Sequence, residues 1–365
     1  MENETDASLA DTPTLTATAA ETDTDADSGP DVGTDAGAAE PAAADTGVGE
    51  SPSLKWWTRR GHGRPGRLEV WYATMTDRET GTGVWVHGET VAPNKDVGGP
   101  VTSHGWVALF PADGEPVWAR TGITEGDPAA DADSRPSATY RSEGLELGPD
   151  GTAGEAGELS WQIHWDSSDQ QGLATFPRWA WEREALPAAQ VVPAPSLEVS
   201  GWVDHAGRRY DINGHGQVAH IFGHGSAERW GWLHADLGDG DVIELVTAVS
   251  TRPGLNKLPP MSFLRMRVAG YDWPTTRVAS WGLRTKLDLP TWTVHGRTQG
   301  VEVDIEVVQP PERCVSIDYT DPNGDTATCT NTERADLRLR LRTQSGVERE
   351  WVLDGTAHAE VGRRP

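Results

Sequence analysis

"GHGSAERWGWLHADLGDGDVIELVTA", residues 223–248, alternates in twos and then turns back on itself. A β-strand sends successive side chains to opposite faces. A strand over residues 230–237 therefore places Trp230, Trp232, His234 and Asp236 on one side, and Gly231, Leu233, Ala235 and Leu237 on the other. Asp239-Gly240 is a two-residue turn signal, and "DVIELVTA" reads as the returning strand. The apolar side can pack against a neighbouring layer. The other side sets two indoles beside an imidazole and a carboxyl, so it is a catalytic face, a ligand-lining face or the inside of a stable sheet.

The same texture runs outward in both directions. "RLEVWYATMTDRETGTGVWVHGETV" reads as strand, Gly-rich connection, strand, and "HGWVALFPADGEPVWAR" as a hairpin around Asp113-Gly114. In "GELSWQIHWD", Leu159, Trp161, Ile163 and Trp165 share one face, the pattern of a half-buried antiparallel strand. "FPRWAWEREALP" is ambiguous between helix and strand. Many short strands separated by turns predict an all-β protein of antiparallel sandwich or barrel sheets. Pro187, Pro193 and Pro195 in "PAAQVVPAPS" interrupt sheet ladders and predict a linker. It divides a first β-domain over 55–190 from a second over 195–363. A five-residue match, Trp85-Val86-His87-Gly88-Glu89 against Trp232-Leu233-His234-Ala235-Asp236, suggests that the halves repeat.

Composition narrows the function. Residues 1–52 hold thirteen Asp and Glu, no Lys or Arg and no aromatic residue, about half of the formal charge of −25. Such a segment cannot bury enough apolar surface to offset the entropy of ordering it, and an acidic disordered tail is expected there. The acidic stretch Glu125–Ser137 reads as a long loop. An acidic chain repels phosphate backbones, which argues against nucleic-acid partners. No apolar run approaches the roughly 18–20 residues of a transmembrane helix, and the amino terminus lacks a secretory pattern. A cytoplasmic location is the default expectation. Cys314 and Cys329 flank the turn signal "DPNGD" and are expected as reduced structural thiols.

Five histidines fall between His205 and His234, but the spacing of His215, His220 and His224 matches no recognised ligand frame, so no metal is expected. "GHGQ" and the residues after it contain a GxGxxA pattern without the helix a dinucleotide needs. No GxSxG occurs. No cofactor is expected. What stands out is seventeen tryptophans against four phenylalanines and five tyrosines. Indoles lining a cleft present apolar walls and negative π faces that favour a developing cation. A carboxyl beside them has its charged form disfavoured by desolvation, which suits a proton donor. Asp236 is thus the candidate donor, with His234 or His220 as its orienting partner. Trp230, Trp232, Phe222, Trp85 and His87 are the candidate ligand-binding residues. The plainer alternative is that the tryptophans only cover sheet surfaces and the His-Asp pair only satisfies itself.

The carboxy-terminal run "GVEVDIEVV", "TCTNTERADLRLRLR" and "VLDGTAHAEVG", with "LEVWYATMTD" and "RWGWLHADL", resembles tocopherol cyclases. "GHGQVAHIFG" followed by Trp230 and Trp232 resembles the histidine region of the related carotenoid 1,2-hydratases. The resemblance, over roughly residues 60–363, implies two lipocalin-like β-domains and cofactor-free chemistry on an isoprenoid. In that chemistry an acid protonates a carbon–carbon double bond, and water or an internal hydroxyl captures the cation. By carry-over His220 matches the hydratase histidine, and Phe222 stands where the hydratases have tryptophan. Ala219 replaces the acid that often precedes that histidine, and "DVIELVTAVS" lacks their downstream tyrosine-x-aspartate pair. Three readings follow: a cyclase-like or hydratase-like enzyme, a non-catalytic isoprenoid or lipid carrier, and a carbohydrate-binding or glycan-cleaving β-sandwich.

Overall fold

A computed structural model describes residues 64–126, 139–177, 179 and 186–365. The tail expected over 1–52, most of the acidic loop and most of "FPRWAWEREALP" lie outside the described residues. The described chain is all-β, folded as two curled antiparallel sheets of twelve and ten strands.

In the first sheet, the strands Arg67–Asp77, Gly83–Ala92 and Thr102–Phe110 form a meander. The free edge of Arg67–Asp77 then pairs with Arg208–Gly223, ten residues in continuous register. That strand is the second half of a long hairpin begun by Ala188–His205, which pairs onward with Leu159–Trp165. The second sheet follows the same plan. Arg229–Gly238, Asp241–Val249 and Met261–Val268 form its meander, and Arg229–Gly238 pairs with Glu348–Arg363, the end of a long hairpin begun by Thr326–Arg342. Each long hairpin slips register in its middle, after Val191 and after Thr332.

Two expectations are corrected here. The proline-bearing segment is no linker: Pro193 and Pro195 lie inside the strand Ala188–His205, at the register shifts between Val191 and Leu197. A residue without an N–H fits where a bulge has already removed a ladder bond. Residues 195–223, expected to open the second domain, belong to the strands that complete the first sheet, and the chain crosses to the second after Gly223. The five-residue match is also not the repeat. Trp85 lies in the second strand of its sheet and Trp232 in the first of the other, so what the halves share is topology.

Strand alternation sorts the core into three clusters. Trp71, Met75, Trp161 and Val218 fill the inside of the first sheet, and Leu233, Ala235, Ile243 and Trp292 that of the second. The opposite faces of the same strands meet between the sheets through Val70, Tyr72, Trp85, Trp106 and Trp232. Burying one indole removes roughly 150–250 Å² from water, about 4–6 kcal/mol of gross hydrophobic stabilisation.

Candidate functional site: a cavity between the sheets

The seam between the sheets encloses a cavity of about 370 Å³, within the range that holds small organic ligands. Tyr72, Trp85 and His87 line it from the first sheet, and Trp230, Trp232 and Tyr319 from strands of the second. Residue parity explains the wall: Trp85, His87 and Glu89 alternate on one strand, and Trp230 and Trp232 on another.

At one end, the His87 ring stacks on Trp106 at 3.8 Å, and its Nε2 lies 3.3 Å from Glu89 Oε2. The other Glu89 oxygen is 2.9 Å from His104 Nε2. Burial opposes ionisation of Glu89, but the hydrogen bonds from His104 and His87 together outweigh it and hold the carboxyl down at about 2. Burial lowers the affinity of His87 for a proton, with Glu89 working the other way. The result is a neutral imidazole beside a carboxylate on the cavity wall.

Tyr319 continues the wall, its ring 5.8 Å from His87 and 6.3 Å from Trp230. Trp230 Nε1 donates to Glu360 Oε1 at 2.6 Å, and the Cys329 thiol donates to Glu360 Oε2 at 3.3 Å. The indole can lie over its neighbouring strand because its cross-strand partner is Gly362, where a Cβ would overlap the Trp230 ring. Glu360 lines the cavity, and burial pushes its carboxyl up, against the hydrogen bonds from Trp230 and Cys329. Behind the third part of the wall, Glu244 Oε1 accepts from both Trp232 Nε1 and Gln190 Nε2 at 2.6 Å. Burial pushes Glu244 up to about 8, with those hydrogen bonds pulling the other way. Gln190 also donates to the Tyr72 hydroxyl at 2.8 Å, a phenol that burial keeps neutral.

Of the residues singled out in the sequence, Trp85, His87, Trp230 and Trp232 come together on this cavity. The others do not line it. His220 and Phe222 occupy the inner face of the first sheet, where the His220 ring stacks on Trp71 at 3.8 Å and its Nε2 sits 2.8 Å from Glu69 Oε1. His234 is buried farther along the seam, 3.3 Å from Glu244 Oε2, and burial lowers its proton affinity. Asp236 is half-buried at the strand end, where the register slips before Gly238. Its carboxylate accepts from Gly238 N at 2.8 Å and from Ser196 Oγ at 3.4 Å, so it caps the turn. Cys314 and Cys329 are free thiols. Among the described residues no group of three or more His, Cys, Asp or Glu is arranged to hold a metal.

The sequence reading missed Tyr72, Glu89, Gln190, Tyr319 and Glu360. A period-two signal existed for Glu89, which follows His87 by two positions, and for Glu360, which follows His358 by two. Nothing local shows that those two strands face one cavity.

Two Mycobacterium tuberculosis proteins, the uncharacterized Rv0493c of strain ATCC 25618 / H37Rv and MT0513 of strain CDC 1551 / Oshkosh, are each 49% identical over 306 residues, 84% of this chain and 89% of theirs. The crystal structure of CghA is similar over 88% of this chain and 96% of its own, with a TM-score of 0.55 at 12% identity. Kievitone hydratase from Nectria haematococca is similar over 88% and 95%, with a TM-score of 0.52 at 11% identity. A putative AttH from Nitrosomonas europaea gives 0.51 at 14% identity, over 81% and 92%. At these identities the likeness is one of fold. Residues 157–363, more than half of the chain, match the tocopherol cyclase-like family, and the protein belongs to it.

Proposed function

We propose that the cavity binds a hydrophobic isoprenoid and that its walls run an acid-initiated cyclisation or hydration. Glu360 is the proton donor in this reading, in place of Asp236. It transfers its proton to one carbon of a double bond, leaving a carbocation on the other and a carboxylate on itself. An internal hydroxyl or a water molecule supplies the electron pair that forms the new C–O bond. The proton it sheds goes to His87, and transfer from imidazolium back to Glu360 restores both groups. Trp230, Trp232 and Tyr319 face the cation and keep bulk water from it.

One observation carries this reading. Two carboxyls on the same cavity are displaced in opposite directions, Glu89 down to about 2 by its two imidazoles and Glu360 up by burial. Glu360, kept protonated, is then the acid, and the neutral His87 held beside ionised Glu89 is the base. The description of the family, tocopherol cyclase-like, and the name of one fold relative, kievitone hydratase, agree with ring closure and hydration as reaction classes. The tryptophan row faces the seam rather than solvent, which disfavours stacking on a polysaccharide.

The test is incubation with a panel of prenylated quinols and carotenoids, followed by mass analysis of products. An isomer or a water adduct is expected, and Glu360→Gln should cut turnover by roughly 10²–10⁴-fold while ligand-dependent Trp quenching persists. Quenching without product from the wild type would make the protein a carrier.

A further inference from the structure

The segment 250–287 contains seven Lys and Arg and one acid, Asp272, in a chain of 31 basic and 56 acidic residues. That acid is bound by Arg265 and Arg267. Arg252, Lys257 and Arg284 are exposed, as is Lys286, whose ammonium pairs at 3.1 Å with Asp288 just beyond the segment. The same segment exposes large apolar side chains: Leu255, Leu258, Met261, Val278 and Trp281. A single exposed leucine needs no explanation, but five large apolar residues in one basic stretch do.

Their place in the fold ties them to the cavity. Arg252, Leu255, Leu258 and Met261 are exposed and also line it, so this strap forms its mouth. A single turn of 3-10 helix, Leu255–Lys257, buries none of its residues. Trp281 packs edge-on against Phe263, a wall residue, at 6.1 Å. Thr285, next to Arg284, holds its hydroxyl 2.7 Å from that of Ser262, which brings the basic strand alongside the mouth.

We infer that this face docks on an anionic lipid bilayer and that the cavity draws its ligand from the membrane through it. Trp, Leu and Met at the headgroup boundary beside Lys and Arg are what a peripheral interfacial surface requires. A net acidic protein is otherwise repelled by such a bilayer, so a local reversal of charge at the mouth orients it mouth-down. An acidic protein partner would match the charge but leave the exposed indole and leucines without their apolar phase. The inference rests on the reading that the cavity takes an apolar ligand, and not on whether that ligand reacts.

The full-length protein would be co-sedimented with phosphatidylcholine vesicles with and without phosphatidylglycerol. Pelleting with the anionic vesicles alone is expected, weakening with salt. The double variant Lys257→Gln/Arg284→Gln should lose roughly 25-fold in partitioning, about fivefold per charge. It should still bind a prenylated quinol dispersed in detergent, because neither side chain lines the cavity. Leu258→Asp should lose at least about tenfold through lost insertion; if it fails to fold, the charge variant carries the test alone. Wild-type protein that stays in the supernatant with both vesicle types overturns the inference. So does pelleting that the charge variant leaves unchanged, or a dimer in light scattering that Leu258→Asp dissociates, which would make a second copy the occupant. Vesicle binding without quinol binding would leave the docking surface standing and remove the ligand reading instead.

Discussion

The two ends of the seam between the sheets are built from neighbouring residues of the same strands, yet they differ in what surrounds their acids. At the cavity end, Glu89 lies within reach of two imidazoles and is ionised, while Glu360 faces the void with an indole and a thiol as donors. At the far end, beyond the residues that line the cavity, His234 pairs with Glu244 and His358 with Glu333. His358 Nδ1 is 2.6 Å from Glu333 Oε2, and its Nε2 is 2.8 Å from Thr76 Oγ1. Burial raises both Glu244 and Glu333. Depth alone therefore does not set the charge of a buried acid here. The imidazoles that donate to it matter as well.

The largest expected effect falls on the wall that divides the two ends. Trp232→Ala should lower unfolding stability by roughly 3–5 kcal/mol in denaturant titration, from lost burial plus the cavity left behind. It also takes a donor from Glu244. A loss below about 1 kcal/mol would mean the two ends are not separated by this indole. Next comes the paired test of function: His87→Gln should reduce turnover on the responsive substrate by about 10²-fold, whereas His358→Gln should change stability and leave turnover intact. Reversed results would transfer the chemistry to the far end.

The third test reads the charge of Glu244 through stability. Between its unperturbed value of 4.5 and about 8, the folded protein keeps a proton that the unfolded chain releases. Stability should therefore fall as pH rises across that window, by about 1.4 kcal/mol per unit from this group. The difference between wild type and Glu244→Gln in unfolding titrations from pH 5 to 8 isolates it, and parallel curves would refute the raised value. The smallest effect is expected at Asp236, where Asn can still accept the bond from Gly238 N. Asp236→Asn should shift stability by no more than about 0.5 kcal/mol and leave turnover unchanged; abolished turnover would restore it as the proton donor.

Much of this architecture was readable in the residues. Period-two alternation gave the strand at 229–238 its two faces, and the row of Trp230, Trp232 and His234 does share the face opposite Leu233 and Ala235. The turn at Asp239-Gly240 is where the register ends. The prolines misled, because a bulge inside a long strand and a linker present the same local composition. Asp236 misled for a related reason. Parity sets the side of a strand but not where along it the void lies, and the bulge before Gly238 directs that carboxylate to the turn.

The sequence by itself determined the class of fold, the facing of the strands at 159–165 and 229–238, and the family, since these depend on alternation, turn chemistry and runs of adjacent residues. Only the tertiary structure decided which histidines and acids share a cavity, because Glu89, Tyr319 and Glu360 lie on strands far apart in the chain. Their proton affinities depend on burial and on partners that meet only when the sheets close on each other. Local order in the chain carries the first kind of information. Long-range packing and the desolvation it imposes carry the second.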